Sequence, residues 1–103
     1  SITMNIIWSN KAVETLQKNV DYLLENWPEV ESKKFLKRVF KYIETISLAP
    51  FIARKTFKTK HTYIGVIVPQ ISVIYRIKPK SNTLEIVTFI DNRQSLKKNK
   101  RNL

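Results

Sequence analysis

The sequence contains no cysteine, which excludes both a disulfide framework and a metal site built on thiolates. It has no apolar run near the ~20 residues that a membrane-spanning helix needs, and no signal-peptide pattern at its first residues. These absences predict a cytoplasmic protein that acts without a membrane. Glycine and histidine occur once each, as Gly65 and His61, so a role that requires either residue type falls on one position.

Acidic residues are few, at eight against nineteen lysines and arginines, which leaves a formal net charge of +11. The excess lies in the second half of the chain. Residues 1–53 contain seven basic and six acidic residues, whereas residues 54–103 contain twelve and two. So positive a half-chain indicates a polyanionic partner: a nucleic acid, a ribosomal surface or an acidic protein. Solubility alone explains the charge less well, because an even spread would serve it equally.

The overall composition is that of one folded domain. Hydrophobic residues make up 43% and charged residues 26% of the 103 residues, which is ordinary for a globular protein. Three residues precede Met4, which we take as the natural start, so the predicted domain covers residues 4–103. We identify no linker, internal repeat or second domain within it.

Helical patterns fill the first half of the chain. Asn5–Trp8 is typical of a short edge strand, and Ser9 and Asn10 are good N-cap residues for a helix that follows. Two amphipathic segments come next, interrupted at Trp27-Pro28 and ended by Pro50. The predicted apolar stripes are Val13, Leu16, Val20, Leu23 and Trp27 in the first helix, and Phe35, Leu36, Val39, Phe40, Ile43 and Ile46 in the second.

Strand patterns fill the second half. Residues 51–62 are predicted to form a basic loop with a short strand near 56–58. Residues 63–68 are predicted to form a strand that ends at the tight turn Pro69-Gln70. Residues 71–78 alternate between a face of Ile71, Val73, Tyr75 and Ile77 and a face of Ser72, Ile74, Arg76 and Lys78. After a break at 79–82, residues 84–90 complete a hairpin. Gly65 marks a bulge or a close backbone approach.

The predicted element order is therefore β-α-α-β-β-β. Helices that come first and strands that come later indicate an α+β fold, with the N-terminal strand and an antiparallel helical hairpin packed on a mostly antiparallel β-sheet. Tyr63 and Tyr75 belong to the alternating pattern of these strands, so we assign both side chains to packing rather than to base stacking.

Arg93 is the most promising functional residue, because the last strand stops at Asp91-Asn92-Arg93-Gln94. A residue at a strand end on a packed support is a common place for a functional group. A guanidinium grips phosphate oxygens in a bidentate way, so Arg93 suits charge stabilisation at a phosphate. The alternative is a salt bridge from Arg93 to Asp91.

Several features together resemble the RelE/ParE superfamily of toxins from type II toxin–antitoxin modules. They are Ile7-Trp8-Ser9 followed by Ala12 and Leu16, two helices that end at a proline, the strand IYRI, and the segment DNRQ followed by lysines. The resemblance runs from Asn5 to about Lys98, and the order and spacing of these motifs identify it better than any single motif.

The resemblance implies a microbial-RNase-like α+β fold, a paired antitoxin and growth inhibition by the free toxin. RelE-like members enter the ribosomal A site and cut mRNA, whereas ParE-like members poison DNA gyrase. Arg93 matches the arginine that RelE-like enzymes place after their last strand, and Lys58 and Lys60 resemble basic residues that those enzymes present from an earlier strand.

Two positions depart from the nuclease pattern that the resemblance supplies. Ser72 stands where RelE-like enzymes carry a catalytic arginine on the middle strand, with Arg76 four residues further on. The C-terminal tyrosine or histidine common in the nucleases is absent, because no residue of either type follows Tyr75. Both departures weaken the resemblance to the nucleases.

RNA cleavage through the 2′-hydroxyl needs a base, an acid and positive charge on the phosphorane. Our candidate catalytic residues are Arg93, His61 as the base, and Lys60 beside it; a solvated loop histidine is the competing interpretation of His61. Polyanion contacts without chemistry are assigned to Lys58, Arg76, Lys97, Lys98, Lys100 and Arg101. We predict no cofactor and no metal site.

Three functions remain as hypotheses. A ribosome-dependent mRNA endoribonuclease comes first because of the basic half-chain and Arg93; a gyrase inhibitor without its own catalysis and an inactive nucleic-acid- or antitoxin-binding module are the alternatives. The expected partners are an acidic antitoxin that folds on contact and either the ribosome with mRNA or DNA gyrase. A homodimer and a heterotetramer with the antitoxin are the assemblies left open.

Overall fold

The computed structural model describes residues 3–56 and 59–93. Its elements are β1 (Asn5–Trp8), α1 (Asn10–Asn26), α2 (Glu29–Leu48), β2 (Arg54–Lys55), β3 (Thr62–Val68), β4 (Ile71–Lys78), a 3-10 turn (Pro79–Ser81) and β5 (Thr83–Asp91). The predicted α+β class is confirmed. The short strand β2 adds one element to the predicted order and lies earlier than residues 56–58, two of which are outside the described ranges.

The five strands form one sheet in the order β1-β5-β4-β3-β2. β1 runs parallel to β5, and the other neighbouring pairs are antiparallel, which confirms the mostly antiparallel sheet. β4 is the central strand. Because β3 and β5 both run antiparallel to β4, the start of β3 and the end of β5 lie at opposite ends of the sheet.

Ser9 determines where α1 begins and how the helix sits on the sheet. Its hydroxyl oxygen accepts a hydrogen bond from the backbone N–H of Ala12 at 3.0 Å, as an N-cap does. The same hydroxyl donates to the carbonyl of Val87 at 2.6 Å. Further along the helix, the Thr15 hydroxyl accepts from the backbone N–H of Phe89 at 3.0 Å. These contacts lay α1 along β5, toward the end of that strand.

The two helices pack side by side on one face of the sheet and run antiparallel, as predicted. Pro28 disfavours helical geometry at Trp27, and the chain reverses there into α2. At the far end of α2, the carbonyl of Ser47 accepts from the backbone N–H of Met4 at 3.1 Å, which places that end beside the start of β1.

The predicted apolar stripes are partly wrong. In α2, the buried members are Phe35, Val39, Ile43 and Ile46, whereas Phe40 is 54% exposed at the rim. In α1, the side that meets the sheet is centred on Ala12 and Leu16. Val13 lies about 100° further round the helix and is 56% exposed. Trp27 caps the helix end rather than continuing its stripe, and it is 55% exposed.

The core lies between the helices and one face of the sheet. The alternation predicted for β4 is confirmed on this side, because Ile71, Val73, Tyr75 and Ile77 are all buried. The rings of Tyr63 and Tyr75 stack with centroids 5.6 Å apart, which confirms that both tyrosines pack. Gly65 marks a close approach, since a Cβ at that position would overlap the hydroxyl of Tyr42 on α2.

The other side of the sheet, which we call the open face, is covered by neither α1 nor α2. The side chains on it include Ile7, Thr62, Ile64, Val66, Ser72, Ile74, Arg76, Lys78, Glu85 and Ile90. Val66 is 62% and Ile7 43% exposed. Within the described residues, no helix is long and apolar enough to cross a membrane.

Candidate functional site

Arg93 follows β5 on a backbone that is fixed to the neighbouring turn. The backbone N–H of Asn92 donates to the carbonyl of Gln70 at 2.7 Å. The side-chain amide of Asn92 donates to the carbonyl of Pro69 at 3.2 Å and to the hydroxyl of Ser72 at 3.0 Å. The rigid support expected for Arg93 at the strand end is therefore present.

The guanidinium of Arg93 is held by Asp91 and Tyr22. Its Nε donates to Oδ1 of Asp91 at 3.2 Å and its Nη2 to Oδ2 at 3.4 Å, while its backbone N–H donates to Oδ1 at 2.9 Å. Its Cζ lies 4.8 Å from the centre of the Tyr22 ring, a cation–π contact. The salt bridge considered as the alternative role of Arg93 is thus formed. The side chain is 39% exposed, so its outer edge can still meet a partner.

Arg93 lines two depressions beside α1. One has a volume of about 370 Å³ and includes Thr15, Lys18 and Tyr22 in its wall. The other, about 470 Å³, lies between the helix–helix connection and the β3–β4 turn. Its apolar lining includes Leu23, Trp27, Phe35 and Ile71, and its charged lining includes Glu31, Lys34 and Arg38. We call Arg93, Asp91, Tyr22 and these two depressions the Arg93 corner.

The second depression has the composition of a protein-binding surface. An apolar floor with charges of both signs around it is how protein–protein interfaces are commonly built. Trp27 stands in this wall with 55% of its surface exposed, and exposed tryptophan is enriched at interfaces. The sequence pattern placed Trp27 in the apolar stripe of the first helix, and its exposure favours an interface over the core.

His61 and Lys60 lie at the opposite end of the sheet from Arg93. His61 precedes β3, and its carbonyl accepts from the backbone N–H of Ile77 at 2.8 Å, near the end of β4. The length of β3 separates this position from the Arg93 corner by about 20 Å. The structure therefore does not bring His61 or Lys60 together with Arg93.

His61 also has the geometry of a loop residue. Its φ of 57° is in the left-handed region, which histidine adopts more readily than most residues, and its side chain is exposed. The solvated loop histidine considered as the competing interpretation agrees with this environment. Lys60 beside it is exposed as well.

Arg76 lies on the open face, on the central strand β4 and towards the end of the sheet where His61 precedes β3. It pairs in register with Thr62 on β3 and Glu85 on β5. Glu85 is directed to Lys78, whose Nζ is 3.7 Å from the carboxylate. The Nε of Arg76 is buried and finds no hydrogen-bond partner among the described residues.

The remaining predicted contact residues cannot be placed. Lys58, Lys97, Lys98, Lys100 and Arg101 lie outside the described residues, so their contacts with a polyanion stay predictions. In the part of the chain that is described, no cluster of three histidine, cysteine, aspartate or glutamate side chains is arranged to hold a metal ion.

Sequence reasoning missed Tyr22 and Asn92. Tyr22 falls outside the apolar stripe of α1, and only the packing of that helix along β5 brings its ring to Arg93. Asn92 belongs to the DNRQ segment, but its hydrogen bond to Ser72 depends on the register between β4 and β5. The available sequence signals were an aromatic residue outside the apolar stripe, for Tyr22, and a polar residue directly after a strand, for Asn92.

Comparisons with known proteins agree with this geometry. A family model described as "ParE toxin of type II toxin-antitoxin system, parDE" matches residues 6–96. The curated protein sequences give no match. Among solved structures, the chain is similar to one of the chromosomal ParDE TA system from P. aeruginosa, with 15% identity, coverage of 88% of this chain and 98% of that chain, and a TM-score of 0.72.

Two further solved structures show the same likeness. The metal-bound toxin from Helicobacter pylori is 18% identical over 88% of this chain and 97% of that chain, with a TM-score of 0.65. The archaeal RelE–RelB complex from Pyrococcus horikoshii OT3 is 15% identical over 87% and 96%, with a TM-score of 0.62. At these identities, the likeness is one of fold.

Proposed function

This chain belongs to the ParE toxin family of type II toxin–antitoxin systems, and on that premise we propose that it inhibits growth by binding DNA gyrase, without catalysis of its own. The expected membership of the RelE/ParE superfamily is confirmed by this match. The choice of gyrase rests on what the resemblance implies for ParE-like members and on the geometry of the Arg93 corner.

The observation that carries the proposal is the engagement of the Arg93 guanidinium by Asp91 and Tyr22, with His61, the predicted base, at the other end of the sheet. General acid–base catalysis needs a donor and an acceptor within hydrogen-bond reach of the reacting atoms. The only histidine of the sequence is at the other end of the sheet, and residues 94–103 include neither histidine nor tyrosine. Arg93 is paired with Asp91, which favours a role in recognition over a role in chemistry.

Ser72 adds support from a second position. The resemblance places a catalytic arginine of the RelE-like enzymes here, and this chain has a serine that is only 2% exposed and accepts a hydrogen bond from Asn92. A side chain so enclosed can anchor the segment after β5. It cannot supply positive charge to a phosphate.

An acidic antitoxin is the second partner that we propose. The solved structures that the fold resembles include toxin–antitoxin complexes such as the RelE–RelB pair, which supports a paired chain for this toxin. A net charge of +11 favours an acidic partner. Because gyrase and such an antitoxin are both inside the cell, we expect the toxin in the cytoplasm.

A ribosome-dependent endoribonuclease is the second candidate function, favoured by one observation. Arg76 lies on the open face near the end of the sheet where His61 and Lys60 lie, and its buried Nε has no hydrogen-bond partner among the described residues. An active site formed by Arg76, His61 and Lys60 would not include Arg93. The two candidates therefore predict different sensitive residues.

Induced expression in cells separates the candidates. We expect the chain to arrest growth with DNA damage and intact mRNA, and Arg93→Ala to relieve the arrest. Lys80→Ala is the matched control, since it removes one exposed positive charge from the 3-10 turn at the other end of the sheet. New mRNA ends at A-site codons, lost in Arg76→Ala and kept in Arg93→Ala, would contradict the proposal in favour of the nuclease. A folded protein without any arrest would leave the inactive binding module.

A further inference from the structure

The basic residues of the first half of the chain are concentrated in one stretch of α2. Residues 1–53 contain seven lysines and arginines, and five of these lie between positions 33 and 41, with no acidic residue from position 32 to position 43. The near balance of charge in this half therefore hides a local positive excess. We call its members the α2 basic face: Lys33, Lys34, Lys37, Arg38 and Lys41.

The α2 basic face points away from the core. Phe35, Val39 and Ile43 alternate with its members along the helix and are buried in the core, whereas all five cations are exposed. The lysines at 33, 37 and 41 are four residues apart, so they form a row about 12 Å long on one side of the helix, the lysine row. Over that length, one strand of B-DNA carries about three to four phosphates.

Carboxylates neutralise only the start of this face. Its first two lysines form exposed salt bridges, 3.7 Å and 4.0 Å long, with Glu29 and Glu31. Among the described residues, the other three cations, Lys37, Arg38 and Lys41, have no carboxylate within salt-bridge distance. Like charges four residues apart destabilise a helix. A bound polyanion would offset this repulsion, whereas solubility alone would be served as well by an even spread of charge.

The three cations without a described carboxylate border an open depression between α2 and β3. Its volume is about 390 Å³, and the side chains of Tyr42 and Thr45 on α2 and of Ile67 on β3 complete its wall. Lysine, arginine, threonine and tyrosine side chains are common donors to phosphate oxygens in protein–DNA complexes. A phosphate group placed in this depression would therefore lie beside three positive charges.

The composition of the α2 basic face disfavours a membrane or a protein as its partner. A helix that binds a membrane inserts its apolar side, and that side of α2 is buried in the core. A protein interface needs an apolar centre, but Phe40 is the only apolar residue among the eight exposed residues between Val30 and Leu48. The ring of Phe40 lies against that of Trp8, with centroids 6.2 Å apart.

Duplex DNA fits this face better than other nucleic acids do. Proteins that bind single strands stack the bases on aromatic side chains, and Phe40 is the only exposed aromatic residue of α2. The major groove of B-DNA is wide enough to admit an α-helix, whereas the major groove of duplex RNA is deep and narrow. A helix with exposed cations can therefore approach the phosphates of a DNA duplex more closely.

We propose that the α2 basic face binds the phosphate backbone of duplex DNA, with the lysine row along one strand and a phosphate group in the depression beside Tyr42. Because phosphate contacts carry no sequence information, this binding is independent of sequence. The inference goes beyond the proposed function, since gyrase binding at the Arg93 corner requires neither this ligand nor the lysine row. It holds whether or not the chain inhibits gyrase.

Fluorescence anisotropy of a labelled DNA duplex of about 20 base pairs, titrated with the whole chain at about 50 to about 200 mM salt, tests the proposal. We expect an affinity that falls with salt and is equal for two duplexes of unrelated sequence. The variant Lys33→Gln/Lys37→Gln/Lys41→Gln should bind about tenfold or more weakly. Its log–log salt slope should be smaller by about 2 to 3, since each phosphate contact contributes about one. Lys34 and Arg38 stay unchanged because both line the second depression of the Arg93 corner.

A second triple variant separates the surface from the net charge. Lys11→Gln/Lys55→Gln/Lys80→Gln removes an equal charge from exposed positions on α1, β2 and the 3-10 turn. It should keep most of the affinity, with a salt slope within about one of the wild-type slope. In the ¹⁵N-labelled wild-type chain, DNA should shift the amides of residues 33–45 most. Thermal unfolding of both triple variants establishes that a lost interaction is not a lost fold.

Three results would overturn the proposal. Equal weakening by the two triple variants would assign the binding to the net charge of the chain. Unchanged binding by the lysine-row variant would place the DNA on another surface. Tighter binding of a duplex RNA or a single strand of the same length, lost in the lysine-row variant, would give this face a different nucleic acid. None of these readouts involves gyrase, so a failure here is distinct from a failure of the proposed function.

Discussion

The ring of Tyr22 on α1 and the guanidinium of Arg93 after β5 lie 4.8 Å apart, centroid to Cζ. This contact joins the first helix to the end of the last strand and, together with Asp91, fixes the direction in which Arg93 points. The position of α1 along β5 therefore shapes the candidate functional site as well as the fold.

Replacing Tyr22 should weaken the toxin with little loss of stability. Tyr22→Leu removes the cation–π contact, which at an exposed site contributes about 0.5–1 kcal/mol. Tyr22→Phe keeps the ring face and should keep growth inhibition. We expect Tyr22→Leu to lower inhibition in cells while its urea midpoint falls only slightly. Full activity of Tyr22→Leu would show that Arg93 needs no such support.

Replacing Gly65 should destabilise the fold. A Cβ at position 65 would overlap the hydroxyl of Tyr42, so Gly65→Ala forces the tyrosine ring or strand β3 to move. Overpacking of this kind costs about 1–3 kcal/mol in the free energy of unfolding. Urea unfolding measures the loss, and Tyr42→Leu in the same chain should recover part of it. An unchanged midpoint in Gly65→Ala would contradict the close packing of α2 on β3.

The helix cap at Ser9 should contribute measurably to stability. Ser9→Ala removes the bond from the Ala12 N–H, which caps α1, and the bond to the Val87 carbonyl, which joins the start of α1 to β5. A lost N-cap costs about 0.5–2 kcal/mol, and Ser9→Thr should retain most of it. Thermal unfolding of the two variants provides the comparison; equal melting of Ser9→Ala and the wild type would refute the role of the cap.

Alkaline pH should unfold the protein through its buried tyrosines. Burial raises the pKa of Tyr75 above its ordinary value, with the nearby phenol of Tyr42 as a smaller cause, and burial also raises the pKa of Tyr42. The protonated phenols therefore stabilise the folded state below the unfolded pKa of about 10, and stability falls as the pH rises above it. Denaturant midpoints measured across this range should decline.

Tyr75→Phe is the matched variant for the alkaline effect. It removes one titrating group, so its stability should decline less steeply above pH ~10. At neutral pH it should be less stable by about 0.5–1.5 kcal/mol, since the hydrogen bond from the Tyr75 hydroxyl to the Pro50 carbonyl, 2.7 Å long, is lost. An identical pH profile in both proteins would assign the alkaline sensitivity to other groups.

The sequence pattern correctly predicted those elements that are determined by neighbouring residues along the chain. The alternation of β4 identified its buried face because side chains of a strand point to opposite sides. The cap at Ser9 and the break at Trp27-Pro28 follow from residue type. The position of β2 was not predicted correctly, because a two-residue edge strand is defined by its pairing with Ile64 and Tyr63 rather than by its own sequence.

The sequence predicted the position of Arg93 at a strand end but not which residues surround it, for a topological reason. Residue types grouped His61 with Arg93 as base and phosphate ligand, but one precedes β3 and the other follows β5. These strands run in the same direction, so the two residues lie at opposite ends of the sheet. The predicted succession of antiparallel strands already implied that the start of β3 and the end of β5 lie at opposite ends of the sheet. The contact between Tyr22 and Arg93 required in addition the placement of α1, which side-chain periodicity alone does not give.

We propose that the chain acts by binding gyrase at the Arg93 corner. The most direct measurement is the supercoiling of relaxed plasmid by purified gyrase, titrated with the purified chain and with Arg93→Ala, beside mRNA incubated with translating ribosomes. The account predicts that the chain inhibits supercoiling, that Arg93→Ala raises the concentration required, and that the mRNA stays intact. Undiminished supercoiling together with cleaved mRNA would contradict it.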